Sequence, residues 1–302
     1  MSPILQWLCE RLQMHFVRDS PCLNAHDQCI CMVRIYRELL SVADSGPFTI
    51  LNKQLWRRRK IAEYEVFNII TREVSNRRDL FSDSVVVDSL AIRPYVPAKR
   101  PFTDLDIVFP SHVPFDKILQ IAGHLSAQGR IIRMPEPNKS LHIKYPTLRM
   151  REIDLTSEFS IHLQSGGVWY KNKTFELDDV FFDSKRWVSV PSAADIASVL
   201  PVPKIEELLL LKLDKFLGFD KIDVLSILTF PNVDFPYIIE RAQTVGKADA
   251  IVANLEQIRT NYVHIKNQWS VENLLSMSDE VEHQMKVNIM TFWELLNANS
   301  DI

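Results

Sequence analysis

The sequence predicts an α+β fold, with a mixed sheet in its middle third and helices on either side. Three observations predict it. Apolar residues recur at helical spacing before residue 80 and again after residue 200. Between them lie strand-length apolar runs with few helices separating the later ones. One of those runs, Thr103-Asp104-Leu105-Asp106-Ile107-Val108-Phe109-Pro110, carries two carboxylates one residue apart. The expected divisions are 1–80 (N-terminal helices), 81–200 (sheet) and 201–302 (C-terminal helical domain).

The chain has 302 residues, enough for one large domain or two modest ones. Lys plus Arg is 35 and Asp plus Glu is 38, so a net charge of −3 gives no global pull toward nucleic acid or a membrane surface. No apolar run reaches the length of a membrane span. Residues 1–16 are apolar but contain Glu10 and Arg11 and lack a basic start, which makes a poor signal peptide. The expectation is a soluble, cytoplasmic protein without disulfides. Cys22, His26, Cys29 and Cys31 do not have the spacing of a standard zinc finger or ribbon, and no second ligand pair follows. Cys29 and Cys31 read instead as small residues at a helix start.

The first helices follow from Ile4, Leu5, Trp7, Leu8 and Leu12, then from Met32, Ile35, Tyr36, Leu39 and Leu40. Ser45-Gly46-Pro47 breaks the pattern. A third helix is expected over about 52–75, carrying Arg57-Arg58-Arg59-Lys60 beside Trp56. Such a run reads as a solvated face, with nucleic-acid binding as the alternative. Ser84 to Val87 reads as a buried strand, and Asp88-Ser89 turns it into a brief helix, Leu90 to Arg93, stopped by Pro94. A loop with Lys99 and Arg100 leads to the Asp-x-Asp strand. An amphipathic helix follows over 114–128, with Phe115, Ile118, Leu119, Ile121, Ala122 and Leu125 inward. Strand-like runs are expected over 130–134, 140–145, 148–156 and 159–163, then after a Gly166-Gly167 turn over 168–177 and 187–190. After Pro191 the chain reads as helical. Pro203 opens a helix with Glu206 and Glu207 in its first turn. Leu208 to Leu211 and Leu213 make that helix apolar nearly all round, with Lys212 inside it and Gly218 ending it. Helices are expected next over 222–228, 235–244, 248–265 and 270–297.

Side chains alternate across a strand, so Asp104 and Asp106 share a face, with Leu105 and Val108 expected to point away from it. Two like charges side by side repel, and burying them unpaired is costly. A cation between them removes both objections, and oxygen ligands suit Mg²⁺ or Mn²⁺. Asp154, between Ile153 and Leu155 on a later expected strand, offers a third carboxylate, and Glu152 on the same face is its substitute. Three converging carboxylates would suit two divalent ions, one at a triphosphate and one at an attacking hydroxyl. His142 and His162 read as ordinary strand residues. No Gly-x-x-x-x-Gly-Lys-Ser/Thr loop and no Gly-x-Ser-x-Gly elbow occurs.

The ordered set resembles the nucleotidyltransferase superfamily related to polymerase beta. That signature is a strand, Gly-Gly or Gly-Ser opening a short helix, an Asp-h-Asp strand (h apolar) and a third Asp on a later strand. Val85-Val86-Val87-Asp88-Ser89, Thr103-Asp104-Leu105-Asp106 and Ile153-Asp154-Leu155 stand at those places. Residues 202–213, with Lys212 in an apolar helix, and then Asp220-Lys221-Ile222-Asp223, look like the segment following the sheet in AbiEii-type bacterial nucleotidyltransferases. Those proteins include toxins of toxin–antitoxin systems. The resemblance spans about 84–230. It implies a nucleotidyltransferase core, and transfer of a nucleoside monophosphate from a nucleoside triphosphate to a hydroxyl of RNA, protein or a small molecule. It implies catalytic and metal-holding roles for Asp104, Asp106 and Asp154, with Mg²⁺ or Mn²⁺. It implies nucleotide binding by Ser89, Arg93, Lys212, Lys221 and Asp223. One position departs from the pattern. The family's glycine is Asp88 here, and a carboxylate there repels phosphates unless it points away or binds metal. The alternative is therefore a catalytically inactive binding or assembly module of the same fold.

Overall fold

The computed structural model describes residues 73–74, 77–96, 104–126, 130–133, 140–145, 159–170, 173–191, 197–273 and 277–298. All of them belong to one compact unit, 59–148 with 156–302. The other unit, 1–58 with 149–155, lies outside the described residues, as do the expected N-terminal helices, the cysteine cluster, Arg57 to Lys60, Lys99, Arg100, Glu152 and Asp154.

The fold is α+β, as expected. It runs β1 (Val85–Val87), α1 (Asp88–Ala91), β2 (Asp104–Phe109), α2 (Phe115–Leu125), β3 (Arg130–Arg133), β4 (Ser140–Tyr145) and β5 (Phe159–Ser165). These strands form one sheet in the order β1-β2-β5-β4-β3. β2 and β5 are parallel and the other neighbours antiparallel, so the sheet is mixed. Two hairpins follow: β6 (Gly167–Tyr170) with β7 (Lys173–Glu176), and β8 (Arg186–Pro191) with β9 (Ala197–Val202), with α3 (Asp179–Asp183) between them. Six helices complete the order: α4 (Ile205–Lys215), α5 (Asp220–Ile227), α6 (Phe235–Thr244), α7 (Ala248–Thr260), α8 (Tyr262–Asn273) and α9 (Asp279–Ala298).

Three of the expected elements change. The run 168–177 is a hairpin rather than one strand, since Tyr170 pairs with Lys173 across a two-residue connection. Residues 197–202, expected to be helical, form β9 on β8. Inward Ser198, Leu200 and Val202 alternate along it at the strand period. The expected helix 248–265 is split into α7 and α8 at Asn261.

The two sheet faces divide the labour. Leu105, Ile107 and Phe109 of β2, Val86 of β1, Leu141 and Ile143 of β4, and Ile161 and Leu163 of β5 enter the main core. There they join Ile118, Ile121 and Leu125 of α2 in a cluster continuous with the C-terminal helices as far as Phe292 and Leu296. The opposite face holds a small apolar patch, Val85, Val87 and Val108 with Val168, Phe181, Phe182 and Leu211. Val108 thus lies on the Asp face, contrary to expectation, because positions 104, 106 and 108 share one side of a period-2 strand. Beyond that patch the face turns polar. Gly167 is required in the β6–β7 hairpin, since a Cβ there would stand 2.4 Å from the Phe175 carbonyl oxygen. Among the described residues no helix is long and apolar enough to cross a membrane.

Candidate active site

The polar face is built from three adjacent strands. Register places Asp106 of β2 opposite His162 of β5, and His162 opposite His142 of β4. Asp104 pairs in register with Ser160. Asp106 is 4% exposed, whereas Asp104 is exposed. The Asp106 Oδ1 atom stands 2.9 Å from His162 Nδ1 and accepts from Gln164 Nε2 at 2.7 Å. Gln164 Oε1 in turn accepts from the Trp169 backbone N–H. His162 Nε2 lies 3.0 Å from Ser160 Oγ, and its ring stacks on His142 at 3.9 Å between centroids.

Burial pushes the Asp106 carboxyl up, but His162 beside it, and Lys215 and His142 more weakly, hold it below the ordinary carboxylate range. Asp104, Asp106 and His162 each bring a ligand atom within 4.8 Å of the others. Two carboxylates and an imidazole on rigid strands are donors suited to a divalent ion such as Mn²⁺, and the carboxylates alone suit Mg²⁺.

A second charged group adjoins this face. Asp88 follows Val87, which pairs in register with Asp106. Its φ of 68° is left-handed, the conformation that favours the glycine expected there by resemblance. Its carboxylate is 25% exposed but does not stand alone. It accepts from Lys212, and from Lys215 at 3.0 Å. Lys212 Nζ also reaches Asp220 at 2.8 Å and Asp223 at 2.8 Å, and Lys215 reaches Asp220 at 3.5 Å. Lys212 is 1% exposed, and Asp220 and Asp223 are each 3% exposed. Lys212 and Lys215 lie one turn apart on α4, as Asp220 and Asp223 do on α5, so the two helices present a pair of cations to a pair of anions. Asp88 is the third carboxylate of that cluster.

The sequence-predicted residues are thus distributed as follows. Asp104 and Asp106 share one face, and Lys212 and Asp223 are bonded to each other rather than displayed at the surface. Lys221 lies apart, its Nζ 4.8 Å from the centre of the Phe216 ring. Ser89 is half-buried and Arg93 is buried at 5% exposed. Asp154 lies outside the described residues. Lys215 and Gln164 have no role in the sequence reading, and Asp220 enters it only within the Asp220-Lys221-Ile222-Asp223 segment. The sequence reads His162 as an ordinary strand residue, yet the strand that pairs with β2 presents its imidazole at the position facing Asp106.

No protein-family profile matches this chain, and no curated protein matches it in sequence. Solved structures similar to it include a candidate nucleotidyltransferase of Helicobacter pylori, with 11% identity and a TM-score of 0.43 over 79% of this chain and 96% of that one. JHP933 of Helicobacter pylori is similar at 11% identity and a TM-score of 0.41, over 80% of this chain and 95% of that one. MenT4, a nucleotidyltransferase toxin of Mycobacterium tuberculosis, is similar at 10% identity and a TM-score of 0.40, over 79% of this chain and 93% of that one.

Proposed function

We propose that the chain is a metal-dependent nucleotidyltransferase, moving a nucleoside monophosphate from a nucleoside triphosphate to a hydroxyl of RNA, protein or a small molecule. The observation that carries this is the juxtaposition of the Asp104, Asp106 and His162 face with the Lys212 and Lys215 pair, across one β1–β2 register step. Asp104, Asp106 and His162 would hold Mg²⁺ or Mn²⁺. A divalent ion at such a site offsets phosphate charge and favours deprotonation of an attacking hydroxyl. Gln164 orients the Asp106 carboxylate by donating to Oδ1. Lys215 supplies positive charge between the two acidic groups, where a triphosphate needs donors beyond its metal. Ser89, Arg93 and Lys221 remain nucleotide-binding candidates, as does Asp154 for a third carboxylate. A toxin-type role, with a cytoplasmic target, is the biological setting this activity would fit.

Asp88 favours the alternative, an inactive module. It already occupies the two lysines that would meet phosphates. Calorimetry with each nucleoside triphosphate in Mn²⁺ separates the two. Binding by the wild-type chain that Asp106→Asn weakens supports the transferase. Binding seen only in Asp88→Gly would make the chain a relic of that activity, and binding by neither would remove the nucleotide altogether.

A further inference from the structure

A cavity of about 370 Å³ lies between the β6–β7 hairpin, α3, α4 and α6. Its apolar walls are Leu177, Phe181, Leu210, Leu211 and Val245. Phe181 and Leu211 connect it to the polar face, because both also pack in the patch with Val87 and Val108. Val87 pairs in register with Asp106, and Val108 stands two residues from Asp106 on the same side of β2. Leu211 lies one helical turn before Lys215, which bonds Asp88. The cavity thus adjoins both the Asp106 face and the lysine pair. Charge decides which part of a triphosphate can enter it. Four carboxylates line it, those of Glu176, Asp178, Glu207 and Asp214, against two cations, Arg241 and Lys247. Both cations are taken: Arg241 donates to Glu207 and Asp178, and Lys247 stands 3.3 Å from Asp214. Such a lining repels phosphates, whereas an uncharged ring is accepted among the apolar walls. Small-molecule sites occupy about 300–1,000 Å³, so the space suffices for a nucleoside. Glu176 is exposed and pairs with no cation among the described residues. An ionised carboxylate only accepts, so it meets an N–H group better than a carbonyl.

We infer that this cavity seats the nucleoside of the triphosphate, and that it favours a base with an exocyclic amino group, as in cytosine, over one with a carbonyl there, as in uracil. This rests on the transferase activity proposed above. The phosphates stay with the Asp106 face and Lys215, and the acidic lining sets the direction in which the triphosphate lies. Leu211 and Phe181 form the boundary between the two parts, since each belongs to both.

The test is calorimetry on the full chain in Mn²⁺ with CTP, UTP and inorganic tripolyphosphate, which carries the charge without a nucleoside. Burying a base should make CTP bind at least about tenfold more tightly than tripolyphosphate, and UTP should bind more weakly than CTP. Val245→Trp fills the cavity from the end of α6, and Thr174→Trp fills it from β7, where an exposed strand position tolerates an aromatic side chain. Each should bring CTP down to the level of tripolyphosphate and leave tripolyphosphate binding as it was, with the melting temperature confirming that the variant is folded. Glu176→Gln should bring CTP and UTP together. A readout free of variants is amide hydrogen exchange in the wild-type chain, which CTP but not tripolyphosphate should slow in β7 and at the end of α6. Equal binding of CTP and tripolyphosphate, unchanged CTP affinity in the folded filled variants, or unchanged exchange at those two segments overturns the subsite and leaves the transferase standing. Equal binding of CTP and UTP overturns the preference for an amino-bearing base. Absence of binding by all three ligands overturns the subsite and the transferase together.

Discussion

Asp106 concentrates the chemistry of this protein in one side chain. It is buried, ionised and bonded through a single oxygen to both His162 and Gln164. Asp106→Asn keeps an acceptor at Oδ1, so the fold should survive and the rise in melting temperature on adding Mn²⁺ should vanish. An undiminished rise in that variant would place the metal elsewhere. The depressed carboxyl also predicts a pH effect. Its folded-state value lies below the unfolded value of about 3.9, so the unfolded chain binds the proton more readily. The stabilisation is complete above that unfolded value and is lost as pH falls through the folded one. Urea midpoints at about pH 6 and about pH 3 should therefore fall further in the wild-type chain than in Asp106→Asn.

At the level of elements, α4 and α5 are joined by ions rather than by apolar packing alone. Lys212 is 1% exposed and faces Asp88, Asp220 and Asp223, so Lys212→Met would leave buried carboxylates without a cation. Breaking a buried pair from one side costs about 3–5 kcal/mol, and the loss should appear in chemical denaturation. Lys212 is accordingly a poor probe of nucleotide binding, because its removal disturbs the helix pair first. Asp88→Gly behaves differently. Three carboxylates face two ammonium groups in the cluster, and removing Asp88 leaves them in balance. It also relieves a left-handed residue, which costs an ordinary side chain about 1–2 kcal/mol. The variant should stay folded and bind a triphosphate as tightly as wild type or more so. Weaker binding in Asp88→Gly would show that Asp88 assists the ligand rather than excluding it.

Across the whole unit, ion pairs tie the sheet domain to the C-terminal helices. Arg241 of α6 donates to Glu207 of α4 at 2.9 Å and to Asp178, the N-cap of α3, at 2.9 Å. Glu207 is 1% exposed, so Arg241→Ala strands it, with only the Tyr237 hydroxyl still donating. That variant should also lose about 3–5 kcal/mol. The pair between α8 and α9 is wetter. Lys266 and Lys286 lower Glu282 to about 2, and both lysines are partly exposed. Its stabilisation is present above the usual glutamate value of about 4.3 and is lost as pH falls through the folded one. Glu282→Gln should therefore cost about 0.2–1 kcal/mol at neutral pH, with a smaller difference in acid or high salt.

The sequence alone determined what local periodicity can carry. The shared face of Asp104 and Asp106, the amphipathic α2 and the apolar α4 all follow from residue spacing, and spacing acts within a single element. It also marked Asp88 as the departure in the β1–α1 turn, since a carboxylate in a glycine position is visible without coordinates. Tertiary structure decided the partners, because pairing joins residues remote in the chain. His162 meets Asp106 across 56 positions, and Lys212 meets Asp88 across 124. No periodicity in β2 says which strand will lie beside it. The choice of β5 placed an imidazole, an amide and a hydroxyl around Asp106. Likewise, nothing in the α4 pattern says whether its lysine reaches solvent or a carboxylate. Burying that ammonium was tolerable only because α5 and the α1 turn bring three carboxylates to it, and a buried charge requires such partners.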